Sequence, residues 1–276
     1  MINLKLYSLK EWIIILLNYV IFQIQKRIDY KIVQNKAIND EIIKAGFGIK
    51  KLRGEYLVIK KDFKAKIRKG TTDNLVFYQI FIEEEYKPII DYSKENNFEI
   101  KTMLDLGANV GYSSLYFQMV NPTIKLCVVE PFESNVRAMK QNFSLNELQA
   151  KVIPGAVWYK ECFLGINRDF RDGREWAISV AENAPVLSIK GYTIKQLMEI
   201  NKFDPVDLLK IDIEGAEALL FDETISDVSF LEKVKIIAIE IHDELKCREN
   251  IYNILIREGF DIQNSGELTI GINGKK

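Results

Sequence analysis

The sequence predicts an α/β protein on a doubly wound, mostly parallel sheet, and two observations carry that prediction. From Ile100 onward, apolar runs alternate with amphipathic stretches: "KTMLDLG", "IKLCVVEP" (Ile124 to Pro131), "AKVIPGAVW" (Ala150 to Trp158), "VDLLKIDIEG" (Val206 to Gly215) and "KVKIIAIEIHDE" (Lys233 to Glu244). Near-continuous Val, Ile and Leu separated by helices mark strands buried on both faces of a parallel sheet. The second observation is the placement of charge. Asp105, Glu130, Asp212 with Glu214, and Glu240 with His242 stand at the carboxyl ends of four of these five runs. Ligands bind beyond those ends in open parallel sheets, and burying such groups without partners is costly. Clustering at one rim therefore favours a site.

Taken in order, residues 1–45 read as an N-terminal helical segment. "WIIILLNYVIFQI" (Trp12 to Ile24) is apolar, interrupted by Asn18, and shorter than the roughly 20 residues a membrane span needs. A helix buried or packed on a partner, including a homo-oligomer, is the preferred reading. A peripheral membrane-surface helix flanked by Lys10, Lys26 and Arg27 comes second, and a true span last. Residues 46–99 form a lead-in. "YLVIKKDFKAKIRKG" (Tyr56 to Gly70) predicts two strands around a basic turn. "DNLVFYQIFIEEEYKPIIDYSKEN" then predicts a helix with Asp73 or Asn74 as its N-cap. Residues 100–276 hold the sheet. Within them Tyr159–Pro205 is far longer than an ordinary connection and predicts an insert with structure of its own. There "DFRDGREW" reads as an exposed turn and "YTIKQLMEI" as a helix, and the tail "GFDIQNSGELTIGING" predicts a closing hairpin.

Composition narrows the chemistry. The chain of 276 residues is 47% hydrophobic and 28% charged, enough for a sizeable core. Lys and Arg number 38 against 39 Asp and Glu, so the basic field of a dedicated nucleic-acid binder is missing and no nucleic-acid partner is expected. Cys127, Cys162 and Cys247 are scattered and form no C-x-x-C pair. They fit a reducing, cytoplasmic setting rather than a disulfide framework or zinc knuckle. His242 is the single histidine, which excludes a two-histidine zinc motif.

The stretch "LDLGANVG" sits where a strand turns into a helix. Gly107 and Gly111 allow close approach of backbone to a ligand, and the following helix start offers unpaired N–H groups. Asn109 stands where a dinucleotide fingerprint has its second glycine, which disfavours a pyrophosphate and an NAD-dependent oxidoreductase. A ligand with a carboxylate and an amine fits better, the amine meeting Asp105. Glu130, ending the next run, is placed to accept from ribose hydroxyls. Together they point to an adenosine-containing ligand.

"MLDLGANVGYSS", "CVVEPFESN", "DLLKIDIEGAE" and "IIAIEIHDE" occur in this order and resemble the motifs of the FkbM family of S-adenosylmethionine-dependent methyltransferases; "GTTDNLVFYQIFIEEEY" (Gly70 to Tyr86) resembles the segment before them. The resemblance implies a class I, Rossmann-like fold with seven strands, S-adenosylmethionine as cofactor, and O-methylation of a hydroxyl on a sugar, glycan or polyhydroxylated small molecule. It implies that Asp105, Gly107, Ala108, Asn109 and Gly111 line the methionine end. Glu130 binds the ribose, with Pro131 and Phe132 beside it, Phe132 against the adenine, and Ala156 completing the set. Tyr86 and Glu214 are assigned to substrate. One departure stands out: where the family often carries "S-L-D-D", this chain has "LSIKGYTIKQL", with Lys190 and Gly191 near the positions of the acids.

For catalysis, residues two apart on a strand share a side, which pairs Asp212 with Glu214 and Glu240 with His242. His242 is the expected base, its ordinary pKa being near neutrality, with Asp212 and Glu240 as its catalytic partners. The carboxylates either hold a divalent cation or fix His242 and the substrate by hydrogen bonds, and the metal-free reading is narrowly preferred. Glu217 is expected to point elsewhere, as a helix-start charge. A non-catalytic cofactor-binding scaffold remains the other alternative.

Overall fold

The structure is a computed structural model that describes residues 9–167, 179–182, 186 and 188–274. The chain forms two compact units, Met1–Phe47 and Gly48–Lys276. The lead-in expected as a separate segment, 46–99, thus lies almost wholly in the same unit as the sheet.

In the first unit the expected helices are one continuous helix, α1 (Leu9–Lys44). Ile13, Ile14, Leu16, Leu17, Tyr19, Val20, Ile21, Phe22 and Ile24 along it are all exposed. Among the described residues no helix is long and apolar enough to cross a membrane.

The second unit opens with an antiparallel sheet of β1 (Gly48–Lys51), β2 (Glu55–Lys60) and β3 (Phe63–Arg68). The hairpin around the basic turn is as predicted, while β1 was not foreseen. Phe63, Ala65 and Ile67 alternate inward along β3, the period-2 pattern of a half-buried strand. The single helix expected next is two, α2 (Asp73–Phe81) and α3 (Lys87–Glu95). The break falls where Glu84 takes a positive φ of 53° and Pro88 sits in the first turn of α3, a position that suits proline because no helical N–H is lost there. Thr72, not Asp73 or Asn74, is the N-cap of α2. Asp73 is buried and accepts from Arg68 Nε and Nη2, both at 2.8 Å.

The large sheet begins with β4 (Thr102–Leu106), α4 (Tyr112–Val120), β5 (Lys125–Glu130), α5 (Glu133–Leu145) and β6 (Ala150–Pro154). The third apolar run then bends at Gly155 and continues as β7 (Ala156–Val157) in a different sheet. A Cβ on Gly155 would meet the Lys190 carbonyl at 2.8 Å, so this corner needs glycine. The insert follows as β8 (Cys162–Asn167), β9 (Ser179–Ala181), β10 (Ile189–Tyr192) and α6 (Ile194–Asn201). It forms a four-stranded sheet of order β7-β10-β8-β9. The helix predicted from "YTIKQLMEI" is present, started by a Thr193–Gln196 capping box. The turn expected at "DFRDGREW" lies outside the described residues.

The chain returns through β11 (Val206–Ile211), α7 (Glu217–Leu220), β12 (Val234–Glu240), α8 (Arg248–Arg257), β13 (Phe260–Ser265) and β14 (Leu268–Asn273). The seven-stranded order is β13-β14-β12-β11-β4-β5-β6, with β13 and β14 forming the predicted antiparallel hairpin and the remaining pairs parallel except β12 with β14. This is the Rossmann-like fold of the class I methyltransferases. After β4 the chain winds out through β5 and β6, then returns to β11 on the other side of β4. That reversal opens a crevice beyond the carboxyl ends of β4 and β11. Every residue of β11 is buried, as a central strand covered on both faces requires.

Candidate active site

The loop after β4 is shaped by its neighbour strand. Leu106 registers with Ile211, and Asp212 N donates to Leu106 O at 3.0 Å, so the loops after β4 and β11 touch. Gly107 has φ +75°, and a Cβ there would lie 1.7 Å from the Asp212 carbonyl oxygen. Glycine is obligatory at this point for packing as much as for any ligand. Gly111, the N-cap of α4 with φ +84°, faces α5: a Cβ would meet Phe143 at 2.5 Å and Met139 at 2.9 Å. The expectation that Gly111 clears a path for ligand is replaced by helix packing.

Asp105 also differs from expectation. It is fully buried, its Oδ2 accepts from the hydroxyls of Ser113 and Ser114, both at 2.7 Å, and Oδ1 lies 3.5 Å from Lys210 Nζ. Asp105 thus anchors the start of α4 to β11 rather than facing a ligand amine. Lys210 donates to the Gly107 carbonyl at 2.6 Å and stands 3.3 Å from Asp212 Oδ2. Burial opposes its charge, but Asp212 and Asp105 outweigh that and hold its pKa above the ordinary value.

A cavity of about 450 Å³ opens beyond these strand ends. Of the sequence candidates, Gly107, Asn109, Glu130, Pro131, Phe132, Ala156, Asp212 and Glu214 line it. Asp105, Ala108, Gly111, Tyr86, Glu240 and His242 do not. Arg68, Thr71 and Thr72, from and just after the lead-in hairpin, and Val180 from β9 of the insert also line the wall; sequence reasoning placed neither of these two segments at the cavity. Glu130 is 3% exposed, accepting at Oε2 from Asn109 N and at Oε1 from Phe132 N and Asn135 Nδ2. A carboxylate has about four lone-pair sites, so one is left for a ligand. Burial pushes Glu130 up to about 7, against the pull of those three donors.

Beside the cavity wall at Asp212 and Glu214 lies a cluster around His242. The chain turns left-handed at Glu214 (φ 52°) and Gly215 (φ 99°), so Asp212 and Glu214 are not the strand pair that period-2 reasoning assumed. The turn nevertheless brings Glu214 Oε2 to 3.6 Å from His242 Nε2, the same distance as Glu240 Oε1. Glu217, expected to point away, is fully buried. Its Oε1 accepts from Ile213 N at 3.1 Å and stands 3.2 Å from His242 Nδ1. Burial alone would lower the His242 pKa, but Glu217, Glu240 and Glu214 outweigh it and raise it above the ordinary value. The resting imidazole is therefore protonated more readily than the near-neutral base expected from sequence. Glu240 is raised too, by burial and by Asp212.

Tyr86 does not line the cavity. It is 2% exposed and packs its ring on Tyr116 and Phe117. Its neighbour Glu85 feels Asp212, Lys210 and Glu267, and burial with those acids pushes it up to about 7, while burial and the charges of Glu85, Asp105, Asp212 and Glu240 hold the Tyr86 hydroxyl well above its ordinary value. Glu85 and Lys210 were not among the expected site residues, and Glu217 was expected to point away. For Lys210 the signal was present in "LLKIDIEGAE", since a lysine inside an apolar strand needs a buried counter-charge; the direction of Glu217 is set by the left-handed turn at Glu214 and Gly215.

Residues 105–261 match the Methyltransferase FkbM domain family, more than half of the chain. The chain belongs to the FkbM methyltransferase family. Solved structures similar to this chain include Methyltransferase FkbM from Methylobacillus flagellatus KT, at 12% identity and TM-score 0.42, covering 62% of this chain and 43% of that one. The match thus spans less than half of that protein's length. A putative caffeoyl-CoA O-methyltransferase from Staphylococcus aureus is similar at 14% identity and TM-score 0.42, covering 68% of this chain and 82% of that one. Cofactor-bound Rv0187 from MTB is similar at 8% identity and TM-score 0.43, covering 86% and 88%. No curated protein matches the sequence.

The family implies S-adenosylmethionine, and the residues present fit it. The cavity lies at the sheet's reversal point, Glu130 keeps a lone pair on its wall, and Phe132, Val157 and Val180 supply apolar surface for a base.

Proposed function

We propose that this FkbM methyltransferase methylates a hydroxyl oxygen of a sugar, glycan or other polyhydroxylated small molecule. The observation that supports this reading is the His242 cluster, in which one imidazole stands within 3.6 Å of Glu214, Glu217 and Glu240 and borders a cavity wall made by Asp212 and Glu214. Carboxylates in this number suit a ligand rich in hydroxyl donors.

When bound, S-adenosylmethionine supplies a methyl group already activated on a sulfonium. The protein's share is orientation and proton removal. Glu130 and the Asn109 backbone hold the ribose side of the cavity, while Phe132 packs on the base. Glu214 and Asp212 orient the acceptor hydroxyl. Glu240 Oε1 stands 3.6 Å from His242 Nε2, and this neighbouring pair, rather than the imidazole alone, receives the proton that leaves the acceptor oxygen. Such base assistance contributes about 10²- to 10⁴-fold.

The test is a labelled methyl-transfer screen against cell-surface sugars, glycolipids, small polyols, amines and RNA. Transfer to a hydroxyl of a saccharide or polyol is expected, and His242→Ala should reduce turnover by about 10²- to 10⁴-fold with S-adenosylmethionine affinity retained in calorimetry. Transfer only to RNA or amines would sink the acceptor class. Full turnover in His242→Ala would sink the proton-transfer role.

A further inference from the structure

We infer that Asp212, Glu240 and His242 form a binding site for a divalent first-row transition ion, at the edge of the cavity where the acceptor oxygen would lie. One ligand atom from each of the three lies within 4.8 Å of the others. Donors around one such ion stand about 2.0–2.2 Å from it, and hence about 3–4 Å from each other, so small side-chain rotations complete the set.

A group of acids alone would not carry this. The independent observation is the state of His242. Its side chain is 4% exposed, and its Nε2 faces Glu214 and Glu240 at 3.6 Å, beyond hydrogen-bond reach of either. Nδ1 makes no hydrogen bond of normal geometry, although Glu217 Oε1 stands 3.2 Å away. A buried imidazole with one nitrogen backed by a buried carboxylate and the other turned into a ring of carboxylates can offer that second nitrogen to a metal, which displaces its proton on binding. Local charge agrees: Asp105, Asp212 and Glu240 act on one ammonium, Lys210, and Glu214, Glu217 and Glu240 on one imidazole, His242. A dication balances that excess.

Two carboxylate oxygens with one imidazole nitrogen suit manganese, iron or zinc better than calcium or magnesium, which prefer oxygen-only shells. Resting on the methyl-transfer reading above, the ion would bind the acceptor hydroxyl and ease loss of its proton, and with Asp212, Glu240 and His242 engaged as ligands, Glu214 would take that proton in place of the Glu240–His242 pair.

The experiment is Mn²⁺ titration of the full chain, stripped with chelator, followed by electron paramagnetic resonance, with Zn²⁺ competition. One Mn²⁺ per chain is expected, displaced by Zn²⁺. Glu240→Gln and Asp212→Asn should each abolish or severely weaken binding. Glu217→Gln, which touches only the far side of the ring, should weaken it by about 10- to 100-fold. Thermal melts of each variant without metal identify any that fails to fold; the remaining carboxylate variant and the wild-type titration then decide. No Mn²⁺ or Zn²⁺ binding by wild type at millimolar concentration overturns the site, as does binding that Glu240→Gln and Asp212→Asn both leave intact. S-adenosylmethionine binding, measured on the same stripped protein, separates the two readings. Cofactor binding without metal removes only the ion, while metal binding without cofactor removes only the methyl-transfer reading.

Discussion

Lys210 shows how much one side chain decides here. It lies in β11, where every neighbour is buried, and joins Asp105, Asp212 and the Gly107 carbonyl. Removing one partner of a buried pair leaves an uncompensated charge and costs about 3–5 kcal/mol. Lys210→Met is therefore expected to destabilise by that order in urea unfolding, and adding Asp105→Asn should recover part of the loss. An additive double mutant would show that the two do not interact. The sequence displayed this lysine plainly, yet its partners could not be named before the register of β4 against β11 was known. Glu217 teaches the same lesson from the other side. Its short helix α7 begins after a left-handed turn, and the turn, not helical periodicity, aims its carboxylate inward.

At the level of elements, the lead-in hairpin is held to the glycine loop by α5. Asn142 is fully buried, accepts from Lys66 N at 2.8 Å and donates to the Val110 carbonyl at 3.0 Å. Asn146 makes a matching pair with the backbone of Lys64, and Tyr112 donates to the Lys66 carbonyl. These bonds fix β3, whose far end delivers Arg68 and then Thr71 and Thr72 to the cavity. Asn142→Leu would leave the buried Val110 carbonyl unpaired, at about 1–3 kcal/mol, and the half-buried Lys66 N–H without its partner. The expected outcome is a lower melting temperature together with weaker S-adenosylmethionine binding in calorimetry. Unchanged affinity in a folded variant would show that the hairpin does not shape the cofactor wall. None of this was readable from the strands themselves, because "YLVIKKDFKAKIRKG" specifies a hairpin but not what the hairpin packs on.

Across the whole molecule, titration behaviour follows from where the acids gather. Glu85 and Glu130 are raised from 4.5 to about 7, mainly by burial, and Glu240 and His242 are also raised. A group whose folded pKa exceeds its unfolded value gives stability that is complete below the unfolded pKa and lost as pH rises through the folded one. All four therefore act in one direction. The cofactor-free protein should melt lower at pH 8 than at pH 5, by on the order of 5–10 °C, and Glu85→Gln should flatten part of that slope. A melting temperature that climbs from pH 5 to 8 would contradict the burial of these groups.

By itself the sequence determined the alternation of strands and helices from Ile100, the glycine loop, Glu130 one strand later and the family. Each of these is written in local pattern: apolar period, a turn residue, an acid at a strand end. Tertiary structure alone decided which acids meet. Asp105 turned inward to two serines and a lysine, Tyr86 joined an aromatic core and left Glu85 beside the acids, and Glu214, Glu217 and Glu240 closed on one histidine. The physical reason is that strand register and left-handed turns set side-chain direction across segments far apart in the chain, and no local pattern encodes those.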